Sequence, residues 1–529
     1  MRSLLLFVFL LSSVIAIIAQ PSYMKAFSAT GTAQTHLDEM SSGNLLVGLA
    51  RQSGFSLFSA DGSIIHSRNF VVDTFLVLQS VKRHTDNEFY FTGGYRKNIC
   101  TETGAPRSYP VVGRMDSLGN ILDASYYILS APECSNTSGD IEVLSDGVVV
   151  WGTRPARFFA VRTDLVGEPI WAKRFNRNGS FQFIKELPGG DLLAGINMDT
   201  ASAVVARLDA QGNFLWCRSY IRPKGRVHDA VIESDDSFVI TGYTEIATTD
   251  MFTPYPPSFH PQLFIMNLNG SGEVQWCRGY SSAPYHWYTP HASRIVRAHD
   301  GNYVVLANIG VPTQNFWYRP MLMKFDQNGD TLWTRSSGYA NYAYETLKLL
   351  ACSDGGFLLN GIIWGDLPNG HPNWAYLYKT DSLGHLPCVE QYFPILTSEL
   401  FPMDSSFTLI SIDGATRHPA FINDTIYDPL TVYDACTFTT NLPPRMERSR
   451  PMSVRPNPTP GRITVEFPDP LLRDSFYSVF DATGRLLYQR PLPEGATLEE
   501  VDLSRFGRGT YVLRLTNREG SCYERVVVE

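Results

Sequence analysis

The chain is 529 residues long, 44% hydrophobic and 12% aromatic, with 41 glycines and 33 prolines. Its 44 Lys and Arg stand against 52 Asp and Glu, a formal charge of −8. A mildly acidic surface without basic clusters argues against a nucleic-acid partner, and the length exceeds one small domain while suiting a propeller or large barrel.

Arg2 precedes an apolar run from Leu4 to Ile18, broken only by Ser12 and Ser13 and followed by the small Ala19. This is the layout of a secretory signal peptide over residues 1–19, and the run is short for a membrane span. No cysteine follows it, so no lipoprotein anchor is expected, and no later segment approaches a spanning length.

Residues 20–393 repeat one pattern: Asp, two residues, Gly, then a strand with Trp four residues after the Gly. It runs Asp164 to Gly167 with Trp171, Asp209 to Gly212 with Trp216, Asn269 to Gly272 with Trp276, and Asp326 to Gly329 with Trp333. Weaker copies begin at Asp61, Asp116 and Asp381, which makes seven. Four residues past the Trp position comes a second aromatic: Phe70, Tyr127, Phe175, Tyr220, Tyr280 and Tyr392, with Ser337 as the exception. A spacing of four places both on one face of a strand.

Between these copies lie polar turns leading into apolar strands, such as Ser145 to Gly147, Pro188 to Asp191, Asp235 to Ser237 and Asp354 to Gly356. Asp, Asn and Gly suit tight hairpins because they tolerate positive φ or bond their own backbone. Each unit reads as strands A to D, and a repeat of about fifty residues is the length of a propeller blade. The expected fold is all-β: a seven-bladed propeller whose last blade takes Tyr23 to Phe27 as its fourth strand. The tryptophans would pack between blades. Residues 394–441 read as an irregular closing segment, or as an eighth blade, since Met403 to Phe407 resembles Asp235 to Phe238.

In a four-strand antiparallel blade the A–B and C–D turns share one face and the longer B–C and D–A loops share the other. The long loops are aromatic-rich, and their candidate ligand-binding residues are Tyr255, His286, Trp287, Tyr288, Phe316, Trp317, Tyr318, Trp364 and Trp374. Variable loops on a rigid scaffold commonly carry binding; the bland alternative is that these rings cover the top of the body. Of the eight cysteines, Cys100 with Cys134 and Cys388 with Cys436 are the disulfide candidates. Cys217 and Cys277 lie in outer strands of adjacent blades that splay apart, and a bridge needs α-carbons within about 7 Å, so these two are not expected to pair.

No CxxC, HExxH, GxSxG, P-loop or strand-borne GxGxxG occurs, and no catalytic residue, metal or cofactor is assigned. Asp326 to Asp330 starts like a calcium loop, but Ser337 stands where a bidentate Glu is required. The repeat differs from the sialidase Asp-box, whose Gly follows two residues after Asp. It also lacks the vicinal cysteines of quinoprotein propellers.

Residues 442–451, Leu-Pro-Pro-Arg-Met-Glu-Arg-Ser-Arg-Pro, read as an exposed linker. A compact β pattern follows over 452–529: Pro456-Asn457-Pro458, Gly461 to Val465, Val479 to Leu486 through Asp481 and Gly484, Val501 to Leu503, then Gly509-Thr-Tyr511. This ordered set resembles the C-terminal sorting domain of type IX secretion substrates of the Bacteroidetes, a small β-sandwich. The repeats before it resemble the Asp-Gly-Trp propellers common among those secreted proteins. One departure is Glu529, where basic residues are frequent in the family. The resemblance implies passage through the periplasm, engagement of the type IX machinery, and removal of the tail by a sortase-like surface peptidase, with the body secreted or attached to the outer surface. Asp116-Ser-Leu, Asp381-Ser-Leu and Asp424-Thr-Ile also fit the O-glycosylation pattern of that bacterial group.

The leading functional expectation is a noncatalytic surface propeller binding a protein or glycan. The alternatives are a structural or adhesive surface component, or a hydrolase or lyase with an unrecognised site. Exposed carboxylates along the central axis would favour the enzyme.

Overall fold

The computed structural model describes residues 22–434 and 452–529, apart from 28–33, 50–53, 71–76, 100–105, 130–136, 155–156, 176, 199–202, 221–224, 248–258, 282–293, 312–316, 338–342, 365–372, 386–389, 392–395, 421–431, 468–469, 472–474, 482–485 and 518–519. The signal-peptide and linker assignments fall outside the described residues.

Each Asp-x-x-Gly turn is built by its first side chain. The Asp164 carboxylate accepts the backbone N–H groups of Val166 and Glu168 at 3.0 and 2.8 Å; Asp209 holds Gln211 and Asn213 in the same way. Asp326 holds Asn328 and Asp330, so its resemblance to a calcium loop is accounted for by a turn. The glycines of these three turns have φ of +86°, +76° and +83°, a region costly for residues with a Cβ. In the first copy the turn starts at Ser59, not at Asp61: the Gly62 N–H donates to the Ser59 carbonyl at 2.9 Å.

Among the described residues, antiparallel strands joined by these and the other tight turns make seven sheets in A-B-C-D order. The first comprises Gln34–Glu39, Leu45–Leu49, Gly54–Phe58 and Ile64–Asn69. The second is Val77–Thr85, Glu88–Ile99, Pro106–Asp116 and Ile121–Leu129, and the third Thr137–Val143, Gly147–Arg154, Arg157–Asp164 and Pro169–Phe175. The fourth is Gly179–Glu186, Leu192–Met198, Ala203–Leu208 and Phe214–Tyr220. The fifth is Gly225–Ile232, Phe238–Ala247, Phe259–Leu268 and Val274–Ser281. The sixth is Arg294–Arg297, Tyr303–Val311, Trp317–Phe325 and Thr331–Ser337. The seventh joins Ala343–Ala351, Phe357–Trp364 and Asn373–Lys379 to Tyr23–Phe27, with Tyr23 opposite Lys379.

The chain divides into two compact units. One holds residues 1–176, 345–390 and 411–432; the other holds 177–344, 391–410 and 433–529. Within each, strand A of one sheet packs against strand A of the next. Alternating side chains fill the space between sheets, as where Tyr127 and Val112 meet Val148, Val150 and Phe159, or where Tyr220 and Val205 meet Ile240 and Phe264.

Residues 390–434 behave unlike any blade. Their described strands add singly to outer edges of sheets already formed: Glu390–Gln391 on the sixth sheet, Leu396–Glu399 on the fifth, Ser405–Ser406 on the fourth, Ser411–Asp413 on the third, Ala415–Pro419 on the second and Val432–Asp434 on the seventh. Met403 to Phe407, whose sequence offered an eighth blade, thus contributes a two-residue strand beside Arg218 and Ser219.

In the C-terminal region, Ser453–Arg455, Arg462–Glu466 and Leu498–Asp502 form one small sheet. Leu486–Pro491, Phe476–Asp481, Gly509–Asn517 and Gly520–Val528 form another. Ile463, Val465 and Val501 of the first share a buried cluster with Val479, Leu513 and Val526 of the second. The helical content described is a single 3-10 turn, Ser504–Phe506, and among the described residues no helix is long and apolar enough to cross a membrane.

Candidate functional site

The loop aromatics Tyr255, His286, Trp287, Tyr288 and Phe316 lie outside the described residues, as do Cys100, Cys134, Cys388 and Cys436. Trp317 and Tyr318 open strand C of the sixth sheet opposite Val311 and Gly310, and Trp364 ends strand B of the seventh opposite Asn373. Trp374 is a correction to the exposed-aromatic reading: it is 1% exposed, in register with Ile363, and belongs to the core. Cys217 and Cys277 are buried free thiols, which agrees with the expectation that they do not pair.

The A strands hold what sequence reasoning missed. In the first three sheets each is interrupted by a bulge, between Gln34 and His36, Leu78 and Ser80, and Ser138 and Asp140. The extra residue re-aims the side chains that follow, so His36 and Asp38, Ser80 and Lys82, and Asp140 and Glu142 fall at matching positions. The Lys82 ammonium is 3.3 Å from Glu142 of the third sheet, and the Arg83 guanidinium 3.8 Å from Asp38 of the first. Lys348, in strand A of the seventh sheet, lies 3.2 Å from Asp140 of the third. The buried His36 ring faces Asp38 at 3.6 Å.

These environments set the charges. Burial, aided by Lys82 and Lys348, pushes the His36 imidazole down to about 4, despite Asp38. Burial opposes the charge on Asp140, but Lys348 and Lys82 outweigh it and hold the carboxyl below the usual range. Asp38 is likewise lowered by its proximity to His36, Lys82 and Arg83, against burial. Burial also opposes the charge on Lys82, yet Glu142, Asp140 and Asp38 hold its ammonium above its ordinary value. The other unit carries a matching arrangement: after a bulge between Val227 and Asp229, the Asp229 carboxylate sits 2.8 Å from Lys185 and accepts the Ile295 N–H at 3.3 Å. Each of these shifts moves the group's titration away from neutral pH, where a general acid or base works best. What the cluster does is tie the A strands of different sheets together. Among the described residues no group of three or more His, Cys, Asp or Glu is placed to hold a metal.

The predicted sorting residues are brought together in the C-terminal region. The Asn457 amide donates to the Arg525 carbonyl at 2.5 Å and accepts the Val527 N–H at 2.9 Å, which binds the Pro456-Asn457-Pro458 segment to the last strand. Gly461 has φ of +133°, and a Cβ there would meet Ser504 at 2.7 Å; its carbonyl accepts the Leu503 N–H at 2.7 Å. The Tyr511 hydroxyl reaches the carbonyls of Phe506 and Gly507 at 2.7 and 2.9 Å. Asp481 pairs opposite Tyr511, and Gly509 opens the same strand as Tyr511. Gly484 lies outside the described residues. Asp116 and Asp381, of the two glycosylation-like triplets in turns, spend their carboxylates on backbone N–H groups.

Comparison with known proteins bears most directly on this region. Residues 453–529 match the secretion system C-terminal sorting domain, the type IX tail that marks a chain for export to the cell surface or secretion. No curated protein matches the chain. Among solved structures, a streptogramin B lyase is similar at 13% identity and TM-score 0.41, covering 68% of this chain and 98% of its own. Virginiamycin B lyase from Staphylococcus aureus, at 12% identity and TM-score 0.43, covers 68% and 98%. A Bacteroides vulgatus member of the duf4221 family, at 9% identity and TM-score 0.30, covers 55% and 89%. At such values the likenesses carry nothing over to this chain.

Proposed function

We propose, on the premise that residues 453–529 are a sorting tail, that the chain is an exported binding protein whose seven sheets close into a β-propeller. Its long-loop face recognises a protein or a glycan. The tail, a small β-sandwich in this reading, is removed after crossing the outer membrane by a sortase-like peptidase. Within one unit the Lys348–Asp140 pair supports this reading, because it draws together strand A of the seventh sheet and strand A of the third.

The observation that carries the noncatalytic reading is the self-pairing of the A-strand charges. Asp140 meets Lys348, Glu142 meets Lys82, and Asp38 meets His36 and Arg83. Carboxylates so paired are spent on holding sheets together, and acid–base catalysis needs groups poised near the working pH. Recognition then falls to the loops bearing Tyr255, His286, Trp287, Tyr288, Phe316, Trp317, Tyr318 and Trp364. Replacing Trp287 and Trp317 together by Ala should leave the melting temperature unchanged and weaken binding to whole cells or a glycan array by about tenfold or more. Undiminished binding in a normally melting variant would exclude this face.

A further inference from the structure

Sheets four and five are complete four-strand meanders before residues 396–410 reach them, and that segment adds to their outer edges by short antiparallel pairings, Leu396–Glu399 along Arg278 to Ser281 and Ser405–Ser406 along Arg218 and Ser219. It adds only Leu396–Glu399 and Ser405–Ser406 as strands. Its backbone is fastened by the Leu400 N–H to the Cys277 carbonyl at 3.0 Å and the Phe407 N–H to the Cys217 carbonyl at 2.9 Å. Between 399 and 410 only Leu409 is buried, while Phe401, Met403 and Ile410 stand exposed. A half-open pocket of about 500 Å³ lies between Trp216, Cys217 and Arg218 on the sheet and Phe407 and Leu409 on the segment.

Charge accompanies this register. Each outer strand carries a basic residue two places after its Trp, and these meet acids of the segment: Arg278 with Glu399 at 2.5 Å, and Arg218 with Asp404 at 2.5 Å. The same device recurs in the other unit, where Lys173 meets Asp413 at 3.3 Å. Acidic residues at 399 and 404 thus fit a ladder of basic residues separated by one repeat along the chain.

We propose that residues 396–410 form a separable strap, registered on finished outer edges by these ion pairs, which undocks while the sheets beneath stay folded. Exposed ion pairs are individually weak and screened by salt, and segments with few buried contacts open below the global unfolding free energy. Undocking opens to solvent the pocket that Cys217 lines together with Ser406, Phe407 and Leu409; in the docked state Cys217 is buried, and burial pushes its thiol up to about 12. Cys352, fully buried in the turn that follows strand A of the seventh sheet, is the internal reference.

The test is alkylation of the full chain with iodoacetamide, with the modified peptides followed by mass spectrometry. In Glu399→Lys with Asp404→Lys, Cys217 should react about tenfold faster while Cys352 keeps its wild-type rate. Added salt should accelerate Cys217 in the wild type, and the exchanged pair Arg218→Asp with Asp404→Arg should restore slow labelling. An unchanged Cys217 rate in the double-lysine variant overturns the strap. So does equal acceleration of Cys217 and Cys352, since the segment would then be integral to the fold.

Discussion

Lys348 and Asp140, 208 residues apart, form an ion pair at 3.2 Å that joins strand A of the seventh sheet to strand A of the third. Both side chains keep about a fifth to a quarter of their exposure, so the pair is deep but not dry. Replacing Lys348 by Met leaves a carboxylate with Lys82 as its remaining cation, and should cost on the order of 2 kcal/mol. Replacing both, Lys348→Met with Asp140→Leu, should cost less than the sum of the single changes. A double-mutant cycle in urea measures the difference.

His36 makes stability pH-dependent in a defined window. Its folded pKa is lowered to about 4 from 6.5, so the folded state holds it neutral while the unfolded chain takes up a proton. Its contribution is therefore complete above pH 6.5 and is lost as pH falls toward 4, by an amount on the order of 3 kcal/mol. The lowered carboxylates Asp38 and Asp140 add a further loss only below their ordinary 3.8. Urea midpoints at pH 7.5 and 5 should differ clearly in the wild type and much less in His36→Gln. His66, also lowered by burial, leaves a residual slope.

The outer aromatic of the repeat acts between sheets. The Tyr280 hydroxyl donates to the Gly329 carbonyl at 2.6 Å, as Tyr220 does to Gly272 at 2.5 Å and Tyr127 to Gly167 at 2.7 Å. Tyr280→Phe should cost about 1 kcal/mol. Gly329→Ala should cost more, roughly 2 kcal/mol or above, because φ is +83° and a Cβ would lie 2.8 Å from Arg278 and 2.9 Å from Trp276. Thermal melts of the two variants should keep that order.

In the tail, Tyr511→Phe removes the donor to Phe506 and Gly507. It should lower the stability of the C-terminal region by about 1 kcal/mol. Limited proteolysis of that region should accelerate while the Trp fluorescence of the body is unchanged.

Much of the body was legible because its signals are local. Asp164 and Gly167 build a turn from four neighbouring residues, and the Trp and Tyr that follow lie on one strand face, so spacing alone reveals them. The use of Tyr280 could be read only as an aromatic, since its partner Gly329 lies in the next repeat. The strap was misleading for a similar reason: Ser405–Ser406 is too short to show alternation, and Arg218 meets Asp404 across 186 residues. Its visible trace was the basic residue two places after Trp171, Trp216 and Trp276, matched by the spaced acids Glu399, Asp404 and Asp413. The A-strand cluster left a fainter trace, a polar-apolar-charged triplet in His36-Leu-Asp38, Ser80-Val-Lys82, Asp140-Ile-Glu142 and Thr346-Leu-Lys348. The bulges that align the first three triplets have no sequence signature of their own.

If residues 453–529 are the export address, the destination of the chain depends on them. Deleting residues 452–529 and fractionating cells of the native host, with surface protease protection and a melting assay on the recovered protein, should find a folded body retained in the periplasm. The full chain should reach the surface or the medium. Truncated protein delivered outside at the level of the full chain would contradict the assignment.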